Sequence, residues 1–400
     1  MEMPDTRAAP NQPASSYKRV IDKITTRVIN KHVIYSAGAE SGLSPTSGCA
    51  QIAPHIPEEP MKRYSRDSML SVLMLTCVVV LVAGCGAPAE EPTPPAAEPE
   101  PEVVRTANPI DRGLSISDFP RVKELAPNVY SYEQLRGVGG DEPFTTVSMF
   151  VVTDEGVLVA DGQGNREETR RMIDEIAKIT DQPITHVVVC SDHGDHTSGN
   201  GEFPADATFY ASSTSKATLE RSANNPNRRG RGDAPPPAII VPTETVDDQL
   251  TLTMGGTEIQ IHFLGRAHTG GDLHVYMPAE KVLFMSESFL NRVFPAMRSA
   301  YPSEWVQVID KAQAMDVETY IPGHGFVEEP DVSREELAAY RLAVEAVIAE
   351  ATRLHESGLS ADEAVEQAEW GEYAAWTLAE GQGPTALRKV YAELNGELQQ

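Results

Sequence analysis

Hydrophobic and polar positions along the chain fall into three regimes. Residues 1–60 mix Pro, Ser, Thr and charges without a sustained period, which reads as a disordered leader or as residues ahead of a true start at Met61. A nearly continuous apolar run follows over 69–83. From about Asn128, short runs rich in β-branched residues alternate with stretches of helical spacing. Strands are expected at 129–135, 145–152, 156–160, 184–190 and 207–211, with helices at 167–179 and 213–221 between them. Four more strands are expected at 250–254, 258–264, 273–277 and 282–285. A helix at 305–315, a short strand at 319–321 and a helical remainder complete the chain. Ser333 with Glu336, and Ser360 with Glu363, have the spacing of capping boxes. Early strands with interspersed helices, then helices alone, predict a layered α/β fold with mixed sheets and a helical C-terminal extension over 330–400.

The apolar run has chemistry at both ends. Lys62, Arg63 and Arg66 precede it and Gly84-Cys85 closes it. It is shorter than the roughly 20 residues of a membrane span and suits the apolar region of an export signal. Leu81-Val82-Ala83-Gly84-Cys85 resembles the lipobox of bacterial lipoproteins, which implies a signal peptide over 61–84, cleavage before Cys85 and lipidation of its thiol. Residues 85–103, rich in Pro, Ala and Glu, then read as an extended acidic tether. The expectation is an exported protein, lipid-anchored to a bacterial membrane in the cell envelope.

Charge sharpens the picture. The net charge of −26 argues against nucleic acid as a partner, because phosphate binding needs clustered Lys and Arg. The imbalance lies wholly after Cys85, so the exported part is a poor match for an anionic lipid surface and anchoring falls to the lipid. Of Cys49, Cys77, Cys85 and Cys190, only Cys190 falls in the globular part, which leaves no disulfide framework. The loop over 224–237 holds Arg231-Gly232-Asp233, read as a chance triplet. The loop itself is long enough to overhang a pocket.

The decisive segment is Ser191-Asp192-His193-Gly194-Asp195-His196, directly after an apolar strand. Imidazole nitrogen and carboxylate oxygen suit zinc or iron, and residues so close on a strand-end loop can converge on one point. A second segment, Gly265 to Asp272, places His268 beside glycines that allow tight backbone. A third places His324 in Tyr320-Ile321-Pro322-Gly323-His324-Gly325. His186, His262 and His274 lie within expected strands and read as core or supporting residues. His355 reads as solvated, and Trp305, Trp370 and Trp376 as packing residues. Asp192 either orients a ligand or faces solvent, and Asp272 reads as holding its loop.

Together these three segments, in this order over 128–325, resemble the metallo-β-lactamase superfamily. The resemblance implies a four-layer αββα sandwich over 104–329 with metal between two sheets. It places His193 and His268 in one metal site and Asp195, His196 and His324 in a second. Two positions depart from the family pattern. Ser191 stands where the family has its first His, and Glu287 where it has a bridging Asp. The expected ligand set is His193, Asp195, His196, His268, Glu287 and His324, with Ser191 and Asp192 as metal or supporting residues, and with one site tighter than the other. The cofactor is expected to be zinc, one or two ions, with iron as the alternative. The function implied is a metal-dependent hydrolase acting on a small-molecule ester, thioester, lactam or phosphoester, with Asp195 catalytic. The alternatives are a mononuclear-iron redox enzyme of the same fold and a non-catalytic metal-binding module.

Overall fold

A computed structural model describes residues 104–137, 142–229 and 236–398. The leader, the export signal with Cys85, the tether and Arg231-Gly232-Asp233 lie outside the described residues. In chain order the strands are β1 (Arg121–Ala126), β2 (Val129–Arg136), β3 (Phe144–Thr153), β4 (Gly156–Ala160), β5 (Ile184–Val188), β6 (Thr208–Ala211), β7 (Glu244–Thr245), β8 (Gln249–Met254), β9 (Thr257–His262), β10 (His274–Met277), β11 (Val282–Leu290) and β12 (Thr319–His324). The helices are α1 (Arg166–Ala177), α2 (Gly194–Thr197), α3 (Ser213–Ala223), α4 (Pro302–Gln313), α5 (Pro330–Glu356), α6 (Ala361–Val365) and α7 (Ala379–Leu394).

The strands hydrogen-bond in the order β7-β6-β5-β4-β3-β12-β11-β10-β9-β8, with β2 also on β3 and β1 on β2. β4, β5, β6 and β7 run parallel, as do β11 and β12, while the hairpins β8–β9 and β2–β3 are antiparallel. The two halves face each other across one apolar cluster. Val147, Met149, Leu158 and Val188 come from one side and Ile259, Val275, Phe284 and Ile321 from the other. Side chains of opposite parity on β3 to β6 meet Met172, Ile176 and Leu219 of α1 and α3. Leu283, Met285 and Phe289 of β11 meet Trp305, Ile309, Leu337, Tyr340, Leu387 and Val390 of α4, α5 and α7. Period-two alternation thus feeds three clusters, and the layers stack as the αββα sandwich.

Local signals start the helices. Asn165 accepts from the Glu168 N–H to cap α1, whose first turn holds Glu167 and Glu168 against the positive helix end. Ser212 accepts from the Ser215 N–H to cap α3. Pro302 opens α4, where its fixed φ and missing N–H cost nothing.

Two expectations change. β11 runs to Leu290 rather than ending at Met285, because all nine of its residues are buried and its partner β12 continues alongside, through register shifts at Ser286 and Leu290. The Ser333/Glu336 capping box does not form. Pro330 starts α5 four residues earlier, with Glu329 in place of Ser333 as the N-cap. Ser333 sits one turn inside, donating to the Pro330 carbonyl and accepting from the Tyr320 N–H. Glu336 is buried, and the guanidiniums of Arg105 and Arg292 claim its carboxylate. The Ser360/Glu363 box forms as expected, with both reciprocal bonds.

Candidate metal centre

The site lies where β4, β5, β11 and β12 end. β5 stops at Val188, and the chain crosses Cys190 and Ser191 to His193, which precedes the single turn α2. That turn carries Asp195 and His196 on consecutive positions. The Leu273 N–H donates to the Cys190 carbonyl, which draws the loop bearing His268 against the same edge. Asp272 accepts from the N–H and hydroxyl of Thr269 and so closes that loop around its glycines. Glu287 projects from β11 beside the register shift. His324 ends β12, with Gly325 (φ +87°) turning the chain away against the Asn291 carbonyl. Gly323 is required on close approach, since a Cβ there would lie 2.5 Å from the Ser286 carbonyl carbon and 2.7 Å from the Glu287 nitrogen.

Four imidazoles and two carboxylates converge. His193 Nδ1 lies 2.9 Å from Glu287 Oε2, and His268 Nε2 lies 3.1 Å from Glu287 Oε1. His324 Nε2 lies 3.2 Å from Asp195 Oδ2 and 3.4 Å from Glu287 Oε1. Ring nitrogens also face each other, at 3.1 Å for His193 with His268 and 3.4 Å for His196 with His324. The groups resolve into Asp195, His196, Glu287 and His324 on one side and His193, His268 and Glu287 on the other.

The surroundings fix three of the rings. His324 Nδ1 donates to the Thr145 carbonyl at 2.8 Å, so its Nε2 lone pair faces the cluster. His196 Nδ1 lies 3.1 Å from Asp161 Oδ2, and His193 Nε2 lies 3.1 Å from Ser299 Oγ. Holding the outer nitrogen this way is how a protein sets tautomer and ring orientation for metal binding. His268 is held by packing instead, edge-on to Trp305 at 5.2 Å. The Ser191 hydroxyl donates to Glu287 Oε2 and orients the carboxylate.

Charge demand points the same way. Burial opposes ionisation of Glu287, yet His268, His193 and His196 outweigh it and hold the carboxyl well below its usual range. Burial likewise opposes charge on His193 and His324, but Glu287, Asp192 and Asp195 push His193 up to about 9, and Asp195 with Glu287 pushes His324 up to about 9. At His268 burial outweighs Glu287 and lowers the pKa, so the nest joins carboxylates to imidazoles of both kinds, a donor set that suits a cation. Ring nitrogens that face each other at 3.1 and 3.4 Å can also turn their lone pairs on one dication between them.

Every residue expected as a ligand is brought into this cluster. Ser191 bonds the carboxylate of Glu287. Asp192 bonds the side chains of Thr218 and Ser215 on α3, and its charge still acts on His193. His274 is buried, bonded to the His262 carbonyl and Ser288, and His186 stacks on Tyr210. His355 is half-buried and bonded to Asn395 rather than freely solvated. Trp305 and Trp376 pack in the cluster beneath β11.

Sequence reasoning missed Asp161, Arg136 and Ser299. Asp161 directly follows β4 with φ +61°, in the left-handed region that a non-glycine residue rarely adopts. It accepts from the Cys190 N–H at 2.7 Å and from the Ser286 hydroxyl, and faces His196, so one carboxylate organises both ligand-bearing segments. The available signal was an acid directly after the apolar strand 156–160. Arg136 and Ser299 carried no local signal, because their partners are distant in sequence.

Residues 141–324 match the family model of the metallo-beta-lactamase superfamily. A metallo-beta-lactamase type 2 of Elizabethkingia meningoseptica is 22% identical over 210 residues, covering 51% of this chain and 78% of the relative. A linear primary-alkylsulfatase of Pseudomonas sp. (strain ATCC 19151) is 24% identical over 257 residues, covering 53% of this chain and 48% of the relative. Among solved structures, the stereoselective inverting sec-alkylsulfatase of a Pseudomonas species superposes with a TM-score of 0.54 at 20% identity, over 68% of this chain and 50% of the other. The chain thus spans about half the length of these sulfatases.

Proposed function

Because its domain over 141–324 belongs to the metallo-β-lactamase superfamily, we propose that this protein is a metal-dependent hydrolase, with zinc as its cofactor, held in the cell envelope by a lipid on Cys85. The observation that carries the reading is the convergence of six ligand-type side chains on one strand edge. Asp195, His196, Glu287 and His324 would hold one ion, and His193, His268 and Glu287 the other. A dication there lowers the pKa of its water towards about 7 and polarises a substrate oxygen.

The chain's own residues divide the remaining work. Glu287, 4% exposed and bonded by Ser191, is a fixed anchor shared by both groups. Asp195 is 24% exposed, so its carboxylate can accept the proton of an attacking water and orient it towards a carbonyl, sulfuryl or phosphoryl centre. The relatives named for β-lactams and alkyl sulfates put lactams and sulfate esters beside carboxylic, thio- and phosphoesters in the assay panel. The expected result is hydrolysis of at least one class by protein carrying zinc, with both metal and turnover lost in Asp195→Ala. Turnover by a metal-free variant rejects the reading.

A second reading rests on one observation. His193, His268 and Glu287 form a two-His, one-carboxylate set, because Ser191 supplies no third imidazole. Such a set with open positions suits iron and redox chemistry. Metal identity in protein purified without added metal separates the two.

A further inference from the structure

Arg136 is a cation in the catalytic neighbourhood that the hydrolase reading has not used. It is the last residue of β2, and its guanidinium reaches over the edge of the sheet to Asp195, with Nη1 4.0 Å from Asp195 Oδ2. That distance is an ion pair but exceeds hydrogen-bond reach. Nη1 is itself buried and has no hydrogen-bond partner. The rest of the side chain, 29% exposed, remains open to solvent.

The fold makes room for this arrangement. A Cβ at Gly164 would collide with Nη1 of Arg136, so the glycine after β4 keeps the space the guanidinium occupies. Beside the same position, Glu168 Oε2 lies 3.2 Å from where that Cβ would be, and it is also buried and unpartnered. The guanidinium is therefore held at ion-pair distance by Asp195 without being consumed by it, and the donors on its exposed part stay available. In a protein of net charge −26, a guanidinium kept beside the proposed nucleophile-orienting carboxylate has a use other than solubility. A planar fork of N–H donors matches the oxygens of a carboxylate, sulfate or phosphate.

We propose that Arg136 is a substrate-binding residue that receives an oxyanion, so that the site selects esters carrying a negatively charged group next to the bond that is cleaved. This rests on the hydrolase reading above and adds the charge class of its substrate. Binding energy placed on a group beside the reacting centre orients that centre against Asp195.

The test uses the zinc-loaded chain and its Arg136→Met and Arg136→Lys variants. Two readouts separate the proposal from the reading beneath it. The first is a matched pair of aryl esters, one with a carboxylate next to the ester and one with a methyl group there. The preference for the anionic ester, as a ratio of kcat/KM, is expected to fall at least ten-fold in Arg136→Met through KM, with part recovered in Arg136→Lys. The second is calorimetric binding of inorganic phosphate, which needs no turnover and is expected to weaken about ten-fold in Arg136→Met. If the parent protein hydrolyses neither ester, the hydrolase reading passes to the other classes of the assay panel, and phosphate binding alone decides the role of Arg136. An unchanged ester preference together with unchanged phosphate affinity overturns the proposal. So does loss of zinc from Arg136→Met, which would make Arg136 a support for Asp195 alone.

Discussion

The edge that gathers the metal ligands and the cluster beneath α4, α5 and α7 lie against the same strand, β11, and obey opposite rules. Below the strand, Leu283, Met285 and Phe289 meet a continuous apolar wall, in which the Trp305 indole N–H is paired while the buried hydroxyls of Tyr340 and Tyr391 are not. At the edge, Glu287 and its neighbours are crowded with donors, Asp161 and Ser286 take left-handed backbone, and the ring nitrogens of His193 and His268 face each other. One region gains stability from burial. The other stores polar groups that the fold by itself leaves poorly matched, as functional sites do. Glu287 shares the parity of Leu283, Met285 and Phe289, so strict alternation would send it to the cluster; the register shifts around Ser286, whose φ is +47°, break the alternation where the ligand sits.

The sharpest way to separate the two is to remove a group from each. His196→Ala takes a ligand from the edge and no apolar contact from the cluster below. Turnover is expected to fall about 1000-fold or more, the several kcal/mol that a correctly held dication contributes. Metal content should fall with it, while the circular-dichroism spectrum and unfolding midpoint of the metal-free forms stay close to those of the parent. A large loss of stability in the metal-free variant would show that the edge also carries the fold.

Trp305→Ala is the converse. Trp305 is fully buried, donates its indole N–H to the Ser288 carbonyl at 2.9 Å and contacts Tyr340. Its removal should cost about 3–5 kcal/mol, read by urea unfolding. Because Trp305 also holds the ring of His268, metal affinity at the His193 side should weaken more than at the His196 side. Equal weakening at both would mean that the cluster supports the edge as a whole.

His274 tests the boundary between the regions. It is buried on β10, with Nδ1 donating to the His262 carbonyl and Nε2 accepting from Ser288. Burial pushes its pKa down to about 4 from the usual 6.5. The folded form therefore binds the proton later than the unfolded chain does. Its contribution is present above about pH 6.5 and is lost as the pH falls towards 4, by up to about 3 kcal/mol at 1.36 kcal/mol per unit. The difference in stability between the parent and His274→Gln should shrink over that window. A difference that is flat in pH would mean that the imidazole titrates alike in the folded and unfolded chain.

How much of this was legible follows the same division. The strands and α1, α3 and α4 could be read because period-two and 3.6-residue patterns record which side faces a cluster. The ligands could be read because His193, Asp195 and His196 sit together in sequence and His268 and His324 sit beside glycines. β1 was missed, since its Arg121, Lys123 and Glu124 hide the strand pattern at a half-exposed edge. Asp161, Ser299 and Arg136 act on partners brought near only by the fold, so no local pattern marks them. The length of β11 was misjudged because Ser286, Glu287 and Ser288 look like a polar loop until their burial is known.

The two Ser-x-x-Glu motifs give the smallest effect and the finest discrimination. Both look alike in sequence, but only Ser360 and Glu363 cap a helix. Ser360→Ala removes an exposed cap and should cost about 1 kcal/mol, with no effect on metal binding. Ser333→Ala removes no cap. It deprives the Tyr320 N–H of its acceptor on the strand that ends in His324, in a buried setting. An unpaired buried donor costs about 1–3 kcal/mol, so Ser333→Ala should destabilise more than Ser360→Ala. Measured side by side by urea unfolding and zinc titration, the pair asks whether α5 merely covers β12 or also sets the position of His324. A zinc affinity lowered by Ser333→Ala and untouched by Ser360→Ala would tie the helical extension to the metal edge. Equal, cap-sized losses from both would leave the two regions independent.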